Sequence, residues 1–149
     1  MVNILHIIDT SGPGGAETIF IELVTHFNNE KYRSYAVVKR EGWVTKTLRE
    51  RNIEPIIIDN KGSFNLFYLL KLIYVIKKNR INILQSHLLG SNIYSSMAGI
   101  MCGIPVVSVF HGNVDINNNE KYLSLKSKII NKGSTHIIFV SEYLKNHLL

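Results

Sequence analysis

The 149-residue chain is 46% hydrophobic and carries a formal net charge of +6, with a pI near 9.5. That length suits one globular domain able to bury roughly 68 to 70% of its unfolded surface, and the composition excludes disordered and fibrous chains. A lone Cys102 excludes an internal disulfide, and no apolar run reaches the ~18 to 20 residues of a membrane span.

A short apolar run predicts a first strand over Asn3–Ile8, followed by "DTSGPGGAETIF", Asp9 to Phe20, and a helix over Ala16–Asn28. On that helix Ile19, Phe20, Leu23, Val24 and Phe27 share one face, and Thr18, Glu22, Thr25 and His26 the other. A strand over Ser34–Val38 precedes a helix over Val44–Arg51, and a strand over Pro55–Ile58 precedes a helix over Leu66–Asn79. The latter contains "NLFYLLKLIYVI" and reads as well buried. Strands over Ile83–Ser86 and Val106–Phe110 flank a helix over Ser91–Met101. The polar "NVDINNNE", Asn113 to Glu120, reads as a mobile loop before a helix over Glu120–Lys132, a strand over Ile137–Val140 and a helix from Ser141 onward. No glycine or proline stop follows Leu149, so a longer protein cut within or just after a helix is expected. Short unalternated strands between helices are the pattern of an α/β, Rossmann-like doubly wound domain, with a mostly parallel sheet of about six strands and helices on both faces.

In such a sheet ligands bind beyond the carboxyl ends of the strands. The rims after the first, fourth and fifth strands are "DTSGPGG", "SHLLGSN" and "VFHGN", and all three should open on one edge. Glycines at Gly12, Gly14 and Gly15 would permit positive φ and a close ligand approach, and the free N–H groups of the following helix favour a phosphate. A tight turn without a ligand is the plainer alternative. The dinucleotide fingerprint G-x-G-x-x-G fails at Glu17, and no phosphate-cradling G-x-x-x-x-G-K-[ST] exists; the only Lys-Gly-Ser is Lys61–Ser63. His111 stands at a strand's carboxyl end beside Gly112, His87 closes the fourth strand, and His6 lies inside the first and reads as structural. Glu17 is a first-turn acid that complements the helix dipole, or else touches an acceptor hydroxyl. Asp9, Asp59 and Asp115 are far apart, with no D-x-D pair to hold a cation, and no Cys/His cluster suggests zinc.

The stretches "NILHIIDTSGPGGAE", "ILQSHLLGSNIYSSMAGIMCGIPVVSVFHG" and "HIIFVSEYLKNHL", in this order and spacing, resemble the N-terminal domain of a GT-B fold glycosyltransferase of family 4, a retaining and metal-independent group. The resemblance covers essentially the whole chain. It implies one half of a two-domain enzyme, the acceptor side, with the donor-binding C-terminal domain lying outside this chain, so that this piece alone would be inactive. The donor would be a UDP- or GDP-sugar, the acceptor a glycan or a lipid-linked sugar in cell-surface polysaccharide or glycolipid synthesis, and no cofactor is implied. His111 would reach the transferred sugar as the catalytic residue. Gly14, Gly15 and Ala16 would approach the diphosphate or the acceptor with their amides, and Glu17, His87, Gly112 and Ser141 complete the substrate-binding set, a packed or water-bonded histidine being the other reading of His87. The family's E-x7-E pair belongs to the other half; Glu22 and Glu30 match its spacing by chance.

A second reading is a non-catalytic binding module for a phosphorylated ligand or a partner protein. A third, a nucleotide-dependent reductase, is disfavoured by the failed fingerprint and by Lys39 and Arg40 where an acid would hold a ribose. The positive charge suits anionic partners, but strands of Ile, Val and Leu lack the interleaved aromatics of a nucleic-acid binder. Lys121, Lys128 and Lys132 fall in one arc beside Leu125, a stripe either solvated or resting on an anionic bilayer. The N-terminus lacks the basic region and cleavage site of a secretory signal, so the cytoplasm, with peripheral contact at the inner membrane face, is the expected location.

Overall fold

A computed structural model describes residues 1–59, 61, 64–112 and 122–148. The elements run β1 (Val2–Ile8), α1 (Gly15–His26), β2 (Tyr32–Val38), α2 (Trp43–Glu50), β3 (Ile56–Ile57), α3 (Leu66–Lys78), β4 (Ile83–His87), α4 (Leu89–Cys102), β5 (Val106–Phe110), α5 (Leu123–Gly133), β6 (His136–Phe139) and α6 (Glu142–Leu148). All pairings are parallel, in the order β3-β2-β1-β4-β5-β6. This is a doubly wound α/β sheet, as the alternation of strands and helices predicts. The expected loop Asn113–Glu120, together with Lys121 and Leu149, lies outside the described residues.

Period-two alternation in the strands feeds two cores. Leu5, Ile7 and Leu84 meet α3 and α4 on one face. Ile8, Ala36 and Val38 meet α1 and α2 on the other. Phe110 and Ile93 extend the first side to Ile130 of α5. Burial of both faces explains why the strands read as short, nearly continuous apolar runs.

Three expectations need correction. The buried stripe of α1 is Phe20, Ile21 and Val24, while Ile19 is 42% exposed, so the helix is rotated by about one position from the expected face. α3 is buried on one side only: Tyr68, Leu69, Leu72, Val75 and Ile76 pack inward, whereas Leu66, Phe67, Leu70 and Tyr74 face solvent. And α4 starts at Leu89, two residues before the expected Ser91, because the chain turns from β4 into the helix within a single residue.

Candidate functional site

The strand order reverses between β1 and β4, where the crevice of a doubly wound sheet opens. Ile8 pairs with His87 and His87 with Val109, so β1, β4 and β5 end side by side. Asp9, Leu88 and His111 therefore leave the sheet on one edge, as the three rims require.

His87 is fully buried, with the ring of Phe20 from α1 meeting it edge-to-face at 5.6 Å. Its Nδ1 lies 2.8 Å from Nε2 of the half-buried His111. The ring centroids are 5.0 Å apart and the planes only 23° from parallel, so the two imidazoles meet edge to edge through this bond. Burial, followed by the nearby His111 and His6, pushes the pKa of His87 down to about 3. At neutral pH it carries one hydrogen. Among the described residues its Nε2 is buried without a hydrogen-bond partner, and a hydrogen there would be a stranded donor. Balancing partners thus assigns the hydrogen of His87 to Nδ1, which donates to Nε2 of His111.

The elbow that aims His87 is strained. Leu88 has φ 74° and ψ 158°, a region that suits glycine, yet its side chain is buried beside Ile8 and Phe20. Surrounding bonds hold it: Leu88 N–H donates to Val109 O at 3.1 Å, and Asn92 N–H to Leu88 O at 2.9 Å. Buried Asn92 also donates through Nδ2 to Val109 O at 3.1 Å and accepts from Ser86 Oγ at 2.7 Å. Asn92 thereby ties β4, α4 and β5 together directly behind the histidines. Sequence reasoning quoted this residue without giving it a role, since a polar side chain in an apolar helix does not reveal its partners.

Asp9 reaches from the end of β1 to the first turn of α4, where its carboxylate fills the space a Cβ on Gly90 would need. A negative charge there complements the helix dipole. Thr10 Oγ1 and Ser91 Oγ, beside Asp9 and Gly90 in the chain, are buried without hydrogen-bond partners among the described residues.

Gly12, Pro13, Gly14 and Gly15 are exposed. None of these glycines adopts a left-handed φ, which corrects the first reason given for them; Gly14 is extended, at φ −177° and ψ 174°. A Cβ on Gly12 or Gly15 would meet nothing within 4 Å, but on Gly14 it would strike the carboxylate of Glu17. Glu17 thus folds back over the tip of α1, while Thr18 bonds Gly14 O through both its N–H and its hydroxyl, at 2.9 and 2.8 Å. Ala16 is half-buried against the α1–α2 core. The turn is braced from the next rim: Val44 N–H donates to Ser11 O at 3.1 Å, and Arg40 Nε to Ser11 Oγ at 3.4 Å. Trp43, between these anchors, is 38% exposed.

The remaining candidates lie apart or play other parts. Gly112 follows His111, and a Cβ there would meet nothing within 4 Å. Ser141 accepts from Leu144 N–H at 3.4 Å and lines an open hollow of about 410 Å³ with Ile137, Phe139, Glu142 and Lys145, beside edge strand β6 rather than at the β1–β4 crevice. His6 is fully buried, its Nε2 3.2 Å from Ser34 Oγ, a packed residue of the core. Among the described residues no group of three or more His, Cys, Asp or Glu side chains gathers as a metal-ligand set.

Residues 13–149 match the family model of Glycosyltransferase Family 4. No curated protein sequence matches the chain. Among solved structures, HepE of Anabaena, determined with UDP, with UDP and glucose, and with UDP-glucose, superposes with a TM-score of 0.83. Its complex with UDP shares 15% identity over 99% of this chain and 40% of its own. A glycosyltransferase from Rickettsia africae gives a TM-score of 0.77 at 23% identity over 99% of this chain and 39% of its own. MurG of Acinetobacter baumannii gives 0.67 at 13% identity, over 93% and 41%. At these identities the likeness is one of fold, and the chain spans about 40% of the length of the HepE chain.

Proposed function

The chain belongs to glycosyltransferase family 4, and from that premise we propose that it is the acceptor-side half of a GT-B enzyme transferring a sugar from a UDP- or GDP-sugar to a glycan or lipid-linked acceptor with retention. A donor-binding domain beyond this chain completes the cleft in this reading, and cell-surface polysaccharide or glycolipid synthesis at the cytoplasmic side is its setting. The observation that carries it is the 2.8 Å His87–His111 bond at the carboxyl edge shared with the glycine turn.

The proposed chemistry follows from charge. As the bond between sugar and phosphate breaks, positive charge grows on the sugar ring and negative charge on the departing diphosphate. A neutral imidazole can touch the sugar without opposing the first charge. His111 takes that place, its Nδ1–H donating to a sugar hydroxyl, while His87 fixes its tautomer and orientation from behind. His111 is the catalytic residue and His87 the positioning residue. With the carboxylate of Glu17 against Gly14, the tip of α1 suits acceptor or sugar hydroxyls better than the diphosphate. The cations that neutralise the diphosphate are assigned to the rest of the enzyme.

The test is steady-state turnover of the complete enzyme with its nucleotide sugar. His111→Ala is expected to lower kcat by about 100-fold or more, the scale of losing one preorganised donor. Turnover unchanged in that variant refutes the assignment.

A further inference from the structure

α3 is apolar on both sides, and only one side is used. Its inner face meets the core, but outward it leaves Phe67 78%, Leu70 51% and Tyr74 62% exposed, with Phe64 66% exposed just ahead of the helix. Positions 67, 70 and 74 form one stripe at helical spacing, and Phe64, ahead of the helix, rests its ring on that of Tyr94 with centroids 6.3 Å apart. Folding gives no reason for this stripe, since a soluble helix ordinarily turns charge toward water. The exposed Lys71, Lys77 and Lys78 lie within the same arc, and Lys78 Nζ sits 5.7 Å from the centre of the Tyr74 ring.

Charge is also segregated between the two sides of the sheet. From Lys61 to Gly112, a stretch that contains all of α3 and α4, the sequence has no Asp or Glu, and α5 has none either. The helices of the opposite face carry Glu17, Glu22 and Glu50. α5 lies on the α3–α4 side and adds Lys128 and Lys132, with Leu125 57% exposed. On this side the three helices α3, α4 and α5 therefore carry no acidic residue, with lysines on α3 and α5, and they bear protruding aromatic and aliphatic side chains.

We propose that the outer face of α3 docks on the surface of an anionic lipid bilayer. Phe64, Phe67, Leu70 and Tyr74 enter the interface, and Lys71, Lys77 and Lys78 meet headgroup phosphates. No helix among the described residues is long and apolar enough to cross a membrane, so the helix lies along the surface rather than spanning it. Exposed aromatics set among lysines suit this boundary, where an apolar layer underlies a negatively charged one. The inference stands apart from the transfer reaction, and its test does not read activity.

The experiment is flotation of the purified full chain with vesicles of phosphatidylglycerol and phosphatidylcholine in equal parts, and with phosphatidylcholine alone. Binding is expected to the anionic vesicles only. Lys71→Gln/Lys77→Gln/Lys78→Gln should weaken partitioning on the order of 100-fold, about fivefold per charge. Phe67→Ser/Leu70→Ser/Tyr74→Ser should abolish flotation while leaving the far-UV circular dichroism and melting temperature near those of the parent, because these side chains do not pack in the core. Lys46→Gln, on α2, should bind like the parent. Equal binding to neutral vesicles, failure of the folded parent to float, or undiminished binding by both triple variants overturns the proposal. So does a finding by light scattering that the apolar stripe joins two copies of the chain in place of lipid.

Discussion

Acidification from pH 8 to pH 5 is expected to remove about 4 kcal/mol of folding stability through two histidines alone. Burial pushes the pKa of His6 down to about 4, and burial with neighbouring histidines pushes that of His87 down to about 3. Both start from an ordinary value of 6.5. Because the folded pKa is the lower one, the unfolded chain binds more protons below pH 6.5, and stability falls as pH falls. At pH 5 each histidine is almost wholly protonated when unfolded and neutral when folded, a difference of about 2 kcal/mol per residue. The loss continues to about pH 4 for His6 and about pH 3 for His87. Glu41, held near pKa 2 by Arg49 and Thr45, has the opposite sense of charge: its contribution is complete above 4.5 and fades only below that value, outside this window. Urea unfolding followed by circular dichroism at pH 8, 7, 6 and 5 measures the effect, and His6→Leu should halve the difference between the end points. Equal stability at pH 8 and pH 5, or a difference untouched by His6→Leu, refutes the claim that these imidazoles are buried neutral.

Two further outcomes probe the crevice. Gly90→Ala should cost about 1–3 kcal/mol by driving a Cβ into the carboxylate of Asp9, and much of that cost should vanish when Asp9→Ser is present as well; fully additive effects in a double-mutant cycle would deny the contact. In the complete enzyme, Glu17→Gln should leave UDP affinity within about twofold, since sugar or acceptor hydroxyls, not the diphosphate, are assigned to the tip of α1. A gain of about fivefold, the scale of relieving roughly 1 kcal/mol of repulsion at a helix tip, would put the diphosphate there instead.

Much of the fold was legible because strands covered on both faces leave a plain trace: "ILHII", "YAVV" and "VVSVF" are too short for helices and too apolar for loops. Their parallel order then places Asp9, His87 and His111 on one edge, which is why reading the rims found the neighbourhood of the site. What stayed hidden was set by contacts distant in sequence. The left-handed φ of Leu88 comes from tertiary restraint on a residue that prefers otherwise, and nothing in "SHLLGSN" marks it. The contact of Asp9 with Gly90 crosses most of the chain. The outer stripe of α3 was misread for a different reason: a helix apolar all round gives the same periodicity whether one face or both are buried, and only the packing of α4 on one side of it decides. β3 shrinks to Ile56–Ile57 because it pairs with β2 alone at the sheet's edge, and Pro55 has no N–H to extend the ladder.

The electrostatics of the crevice bear on how the proposed labour is divided. Two helix tips point into it, and each already carries a carboxylate of the chain: Glu17 over Gly14 at α1, and Asp9 against Gly90 at α4. The two imidazoles between them are coupled through one hydrogen, and the deeper one is held neutral by burial. An edge built in this way is polar without being positive. A diphosphate would find both helix tips guarded by like charge, while a sugar gathering positive charge would find carboxylates nearby and a neutral imidazole at His87. On the proposed reading, this half of the enzyme is therefore fitted to the sugar side of the breaking bond. The phosphate side then needs cations from elsewhere in the protein, and Arg40, turned toward Ser11 beside the glycine turn, is a basic rim residue placed to assist.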